Sequence, residues 1–175
     1  MEFKELMAKR RSIRKYSPRR VPEEVIQRML KVALSAPSSR NSRSTRFLVV
    51  DDPTLIARMA EMRDYGSSFM ASAPLAIVVM GDTTTTDLWQ VNCAISATVL
   101  QQAAVDEGLA SCWVHIAGRP RLKSEPEGAQ AEDFLREFLP IPAECKALCA
   151  MAIGYSDFEP KPLPEDATER VIWMK

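Results

Sequence analysis

Phe3, Leu6, Met7 and Arg10 stand at i, i+3, i+4 and i+7, a spacing that predicts an opening helix whose apolar stripe ends in an inward-facing arginine. Residues 22–36 predict a second helix. Pro22 suits its first turn, Glu23 and Glu24 favour its positive end, Val25, Met29, Val32, Ala33 and Ala36 share one face, and Pro37 stops it. The apolar runs 47–50 and 75–80 read as buried strands, and between them Asp51, Asp52 and Pro53 cap a short helix running to about Met62. The longest predicted helix, 87–107, follows the threonines 83–86 and closes at Gly108. Its Leu88, Val91, Ile95, Val99, Leu100 and alanines cover more than one stripe, as in a helix buried in a core or against a second subunit. A strand at 110–114, a helix at 131–139 and a strand at 147–153 before Gly154 complete the order. From Ser156 the chain is punctuated by Pro160, Pro162 and Pro164, which predicts an extended surface arm. The arm ends in Val171, Ile172, Trp173 and Met174, too apolar to leave in water and expected to pair as an edge strand, with a partner subunit as one place for it. Without repeats or clear linkers, the economical description is one α+β domain over 1–175, its C-terminal arm beginning at about 156.

Composition narrows the classes of function. A chain of 175 residues that is 46% hydrophobic can bury a sizeable core without disulfides or metal. Its 23 basic and 23 acidic residues cancel, so no overall field draws it to nucleic acid or to a membrane surface. The opening Met1-Glu2-Phe3-Lys4-Glu5 lacks the order of a signal peptide, and no apolar run approaches the ~18 residues of a membrane span. The expectation is a cytoplasmic protein. Cys93, Cys112, Cys145 and Cys149 form no CxxC pair, and His115, the single histidine, completes no zinc set with them; reduced, buried thiols and no metal are expected.

Local charge is more informative. Residues 9–20 hold seven cations and no acid, and residues 37–46 hold three more, Arg40, Arg43 and Arg46, again with none. Lys9, Lys15, Arg19 and Arg20 read as solvated, and a helix C-terminus also attracts cations. Arg10 is different, because it continues an apolar face and an inward guanidinium needs an anion to offset its desolvation. Ser12 adds a hydroxyl beside it. The stretch 36–43, with Pro37, Ser38, Ser39, Asn41 and Ser42, is dense in small polar groups suited to a heteroatom-rich ring or a sugar chain, although such a stretch also reads as a plain loop. The six glycines form neither a dinucleotide-binding nor a P-loop fingerprint, so any phosphate would be held by arginine and serine.

At this point the residues resemble the nitroreductase family. The resemblance is carried by Arg10-Arg11-Ser12-Ile13-Arg14-Lys15-Tyr16, by Ala36-Pro37-Ser38-Ser39-Arg40-Asn41 after the second helix, and by Ala73-Pro74 before a strand. It continues through the long helix into Gly108-Leu109-Ala110-Ser111-Cys112-Trp113, and ends with Ile153-Gly154-Tyr155 before the proline-rich arm. Order and spacing together make the match. It implies a mixed or antiparallel central sheet wrapped by helices, with the arm exchanged in a homodimer. It also implies bound FMN, NAD(P)H as electron donor, and ping-pong transfer through the flavin N5 to a nitroaromatic, quinone or similar electron-poor small molecule. No side chain need act as a nucleophile.

Site residues follow from the same resemblance. Arg10 and Ser12 match the phosphate side, where Arg11 is also expected, and Arg14 matches a cation at the pyrimidine edge that stabilises charge on the reduced ring. Pro37, Ser38, Ser39 and Asn41 match a loop that packs on the flavin from the other subunit. The backbone of Val114, His115 and Ile116 matches the stretch beside N5, and Lys161 a phosphate contact in the arm. The chain departs from the family pattern at Arg43-Ser44-Thr45, which puts Arg43 near the ring in place of glutamine, and at Leu163, where an arm arginine is expected. Those departures keep open a flavin-binding protein used for storage or sensing. A different reaction on the scaffold, such as oxidative flavin cleavage or reductive dehalogenation, also stays open. A nucleic-acid module built on the basic segment is the third alternative, and near-neutral net charge argues against it.

Overall fold

The computed structural model describes residues 2–161 and 170–174. Helices α1 (Phe3–Lys9) and α2 (Glu23–Leu34) precede strand β1 (Thr45–Val50). Helix α3 (Pro53–Met59), strand β2 (Leu75–Asp82) and the long α4 (Trp89–Asp106) follow, then β3 (Ala110–His115), α5 (Ala131–Arg136) and β4 (Cys145–Gly154). The strands form one fully antiparallel sheet in the order β1-β2-β4-β3.

The central strands are buried on both faces, so their hydrophobic runs do not alternate with polar residues. Leu75, Ile77 and Val79 of β2 face α2 and α4, packing with Met29, Ala33, Ala97 and Leu100. Ala76, Val78 and Met80 face the opposite layer of Ile56, Met59, Met62, Phe134 and Leu135. Between Val79 and Met80 the β2/β4 register shifts: Val79 opposes Cys149, while Met80 opposes Ala147. The extra residue, Leu148, offers its carbonyl to the N–H groups of Ile116 and Ala117 at 2.9 and 3.1 Å, fixing how the chain leaves β3.

Local sequence accounts for most boundaries. Asp52 caps α3 by accepting from the N–H groups of Thr54 and Leu55, with Pro53 in the first turn. Gly108 closes α4 at φ +73°, in the left-handed region. Three expectations shift. Strand β1 begins at Thr45 rather than Phe47 because Gly81 and Met80 extend the ladder. Arg10 lies just outside α1, as its C-cap. Val171 to Met174 form no strand on this chain and are 54–96% exposed. Leu163 lies outside the described residues. Among the described residues no helix is long and apolar enough to cross a membrane, and no cluster of His, Cys, Asp or Glu could hold a metal ion.

Gly154, at the end of β4, marks where the N-terminal segment crosses the sheet. A Cβ there would lie 2.6 Å from Pro74 Cδ and 3.2 Å from Tyr16 Cδ1, and the proline ring cannot swing aside. Gly154→Ala is expected to destabilise the fold by about 1–3 kcal/mol, the range for overpacking, read as a lower urea midpoint.

Candidate functional site

Strand β3 is an edge strand, and its outer edge organises the site. The even-numbered residues bond inward to β4, as Ile116 does to Leu148, so the backbone of Ser111, Trp113 and His115 points away from the sheet. At one end the segment after α1 takes up that edge: Ile13 N–H donates to the Ser111 carbonyl at 3.1 Å, and Ser12 and Ser111 form a parallel bridge. At the other end Arg63 donates to the His115 carbonyl at 2.9 Å. Among the described residues, no strand pairs with the edge between them.

Tyr16 secures the N-terminal segment. Its hydroxyl lies 2.6 Å from the Ile13 carbonyl and 3.1 Å from that of Ala152 on β4, and Ser17 N–H donates to Tyr155 at 2.8 Å. The result is convergence. Burial raises the Cys112 thiol pKa, and Arg14, Ser12 and Arg10, in that order, pull against the rise. Arg14 reaches back to the Ser12 carbonyl at 3.4 Å and lies 5.6 Å from the centre of the Phe69 ring. The half-buried Arg10 guanidinium has no partner among the described residues. Arg11 behaves otherwise. It donates to the carbonyls of Ala8 and Arg10, closing α1, and its buried Nε is left without a partner. Ser111 Oγ, also buried beside this edge, is unpartnered too.

His115 is neutral. Burial, with Arg119 and Arg63 nearby, lowers its pKa from the ordinary value. Its Nδ1 accepts from the Trp113 indole at 3.4 Å with the two rings stacked, which leaves the proton on Nε2. Of Val114, His115 and Ile116, only His115 presents its backbone to the free edge.

The second predicted segment lies elsewhere. Residues 37–43 lead into β1, the opposite edge of the sheet, three strand spacings or roughly 14 Å from β3. The hydroxyls of Ser38 and Ser39 face inward to Arg43 N–H and to Asn92, whereas Pro37, Asn41 and Arg43 are exposed. Lys161 is exposed at the end of the first described stretch. One chain therefore does not bring its two predicted halves onto one ligand. Phe3, Met7, Val32, Leu34, Leu88 and Val91 on α1, α2 and the start of α4 are all 43–72% exposed, an apolar surface suited to a second copy.

Sequence reasoning missed Asn92 and Ser96. Both are buried polar residues one turn apart on α4, and that spacing was the available signal.

The structure thus sets an arginine-serine segment against the edge strand of a helix-wrapped antiparallel sheet. The model of the nitroreductase family matches residues 7–63 and 55–155, and the chain belongs to that family. An FMN-dependent nitroreductase from Clostridium difficile R20291 superposes with a TM-score of 0.90 at 35% identity, covering 97% of this chain and 98% of that one. A protein provisionally named NADH dehydrogenase/NAD(P)H nitroreductase from Methanothermobacter thermautotrophicus is 31% identical over 158 residues, 89% of this chain and 78% of its own. Iodotyrosine deiodinase 1 of Sus scrofa is 44% identical over 63 residues, 36% of this chain and 22% of its own.

Tyr16 gives the site a testable handle. Burial raises its phenol pKa well above the ordinary value, so the folded state keeps a proton that the unfolded state releases above about pH 10. Stability from this group is complete below pH 10 and declines as pH rises further. Tyr16→Phe is expected to lower stability at pH 8 by about 1 kcal/mol, the worth of a typical hydrogen bond. It should also flatten the decline between pH 8 and 11, as compared by urea denaturation.

Proposed function

We propose that this chain is an FMN-dependent oxidoreductase that takes electrons from NAD(P)H and passes them to an electron-poor small molecule, working as a homodimer. The observation that carries the reading is Arg10, partly buried and without a side-chain partner among the described residues, close to Ser12 and Arg14 at the outer edge of β3. A phosphate fits there: it would pair with a cation that has no side-chain partner among the described residues, and the unpartnered Ser111 Oγ offers a further polar group at the same edge. When bound, FMN supplies hydride acceptance at N5 and electron delivery to the second substrate in the same space.

The chain's own residues bind, orient and stabilise. Arg10 and Ser12 hold the phosphate side, with Lys161 approaching from the arm. Arg11 caps α1 and so fixes the approach of Arg10. Arg14 places a cation at the pyrimidine edge, where it stabilises negative charge on the reduced ring. The outward His115 backbone N–H is a donor for N5, and the neighbouring Val114 and Ile116 hold it in register. Pro37, Ser38, Ser39, Asn41 and Arg43 serve the site of the partner subunit, because β1 and β3 occupy opposite edges of one sheet. The exposed Val171 to Met174 complete an edge on that partner.

A second reading, reductive dehalogenation on the same scaffold, is favoured by the local 44% identity to iodotyrosine deiodinase 1. Halide release from halophenols, absent with nitroaromatics or quinones as acceptors, would select it.

Protein as isolated, or after FMN is added, is expected to have a flavin spectrum that NADH or NADPH bleaches anaerobically. A spectrum that neither nicotinamide bleaches would favour storage or sensing. Arg10→Ala should weaken FMN retention by about 1.5–3 kcal/mol, the worth of a charge-assisted contact, measured as the dissociation constant; parental affinity would remove the phosphate assignment. Sedimentation should return twice the 19.6 kDa chain mass, and a monomer that binds FMN with parental affinity would sink the shared site.

A further inference from the structure

Three residues of the loop before β1 occupy the left-handed region without being glycine: Arg40 (φ 50°), Asn41 (φ 53°) and Arg43 (φ 47°). Such backbone persists only where its surroundings over-determine it. Neither a sheet ladder nor an ordinary helix does so here. The determinant is one side chain on α4. Asn92 is 1% exposed, and its Oδ1 accepts the Ser39 N–H at 2.8 Å. Its Nδ2 lies 3.0 Å from the hydroxyls of both Ser42 and Ser44, and 3.3 Å from that of Ser39. Ser38 Oγ closes the turn by accepting Arg43 N–H at 2.9 Å. One turn further along α4, Ser96 pairs with Thr45 at 3.3 Å, where β1 begins. Every serine of the loop is thereby turned inward. Asn41 and Arg43 are left outside, joined by Arg43 Nε donating to Asn41 Oδ1 at 3.3 Å.

We infer that Asn92 is the positioning residue of the cofactor-facing loop. It locks residues 38–44 into the form, left-handed at Arg40, Asn41 and Arg43, that presents Asn41 and Arg43 to the ring bound at the partner subunit. This rests on the flavin reading above. The advantage is preorganisation, since a loop already fixed by a buried amide loses little freedom when the ring docks. Asparagine suits the post because one planar group supplies an acceptor for a backbone N–H and donors for hydroxyls. Aspartate can also serve, because serine hydroxyls can rotate to donate; leucine, of similar size, cannot.

The test uses the full chain with Asn92→Leu and Asn92→Asp. FMN titration, visible circular dichroism of bound FMN, thermal unfolding of the flavin-free protein and amide exchange at Ser39 are compared with the parent. Asn92→Leu should weaken FMN binding about tenfold or more through lost preorganisation, change the visible dichroism and speed exchange at Ser39, while Asn92→Asp stays close to the parent. Parental FMN affinity and dichroism in Asn92→Leu would overturn the inference, as would an Asn92→Asp protein equally impaired. Where Asn92→Leu does not fold, Ser42→Ala replaces it, with severalfold weaker FMN binding at a parental melting temperature expected and unchanged affinity overturning the proposal. A parent that binds no FMN defeats the flavin reading instead, and the clamp is then judged by exchange at Ser39 alone: acceleration in Asn92→Leu supports it, and unchanged exchange overturns it.

Discussion

Burial of β2 and β4 on both faces is the constraint from which the remaining architecture follows. Two strands with Leu75, Ile77 and Val79 on one side and Ala76, Val78 and Met80 on the other need a layer above and a layer below. The long α4 with α2 supplies one, and α3, α5 and the turns around Met62 and Met70 supply the other. What is left for recognition is the perimeter. Edge strand β3 receives the arginine-serine segment, and edge strand β1 receives the serine-rich loop. Because the buried pair stands between them, the two edges cannot meet within one chain. A ligand contacted by both edges would therefore require a second copy, which is the arrangement proposed above.

The two edges solve one physical problem by different means. At β3 the short segment 10–16 is held by backbone pairing to Ser111 and by the Tyr16 phenol, while the Arg10 side chain has no partner among the described residues. A cation that is positioned but not neutralised is a ready anion site. At β1 the loop is held by side chains, with Asn92 as their common partner, and the outward groups are an amide and a guanidinium in left-handed backbone. Arg11 terminates α1, the role that a helix C-terminus assigns to a nearby cation.

Much of this was legible in the chain. The apolar runs located all four strands, Asp52 and Gly108 marked helix ends, and the order of the Arg10, Ser38 and Gly108 segments carried the family. Site residues were legible as segments and less so as individuals. Arg10 stood apart from its neighbours by continuing the apolar face, and the bonds of Arg11 to Ala8 and Arg10 separate the two further. Ser38 and Ser39, which the family resemblance places in a flavin-facing loop, bond within this chain to Arg43 N–H and to Asn92. Asn92 was hidden in an apolar helix, its relevance depending on a loop some fifty residues earlier.

The sequence by itself determined the elements, their burial and the family, because periodicity, caps and short motifs are encoded within a few residues of one another. Tertiary structure decided the antiparallel order β1-β2-β4-β3, the bulge at Leu148, which of the clustered arginines closes α1, and which serines turn inward. Those outcomes depend on groups distant in the chain competing for the same donors, acceptors and space, and the competition has no local signature.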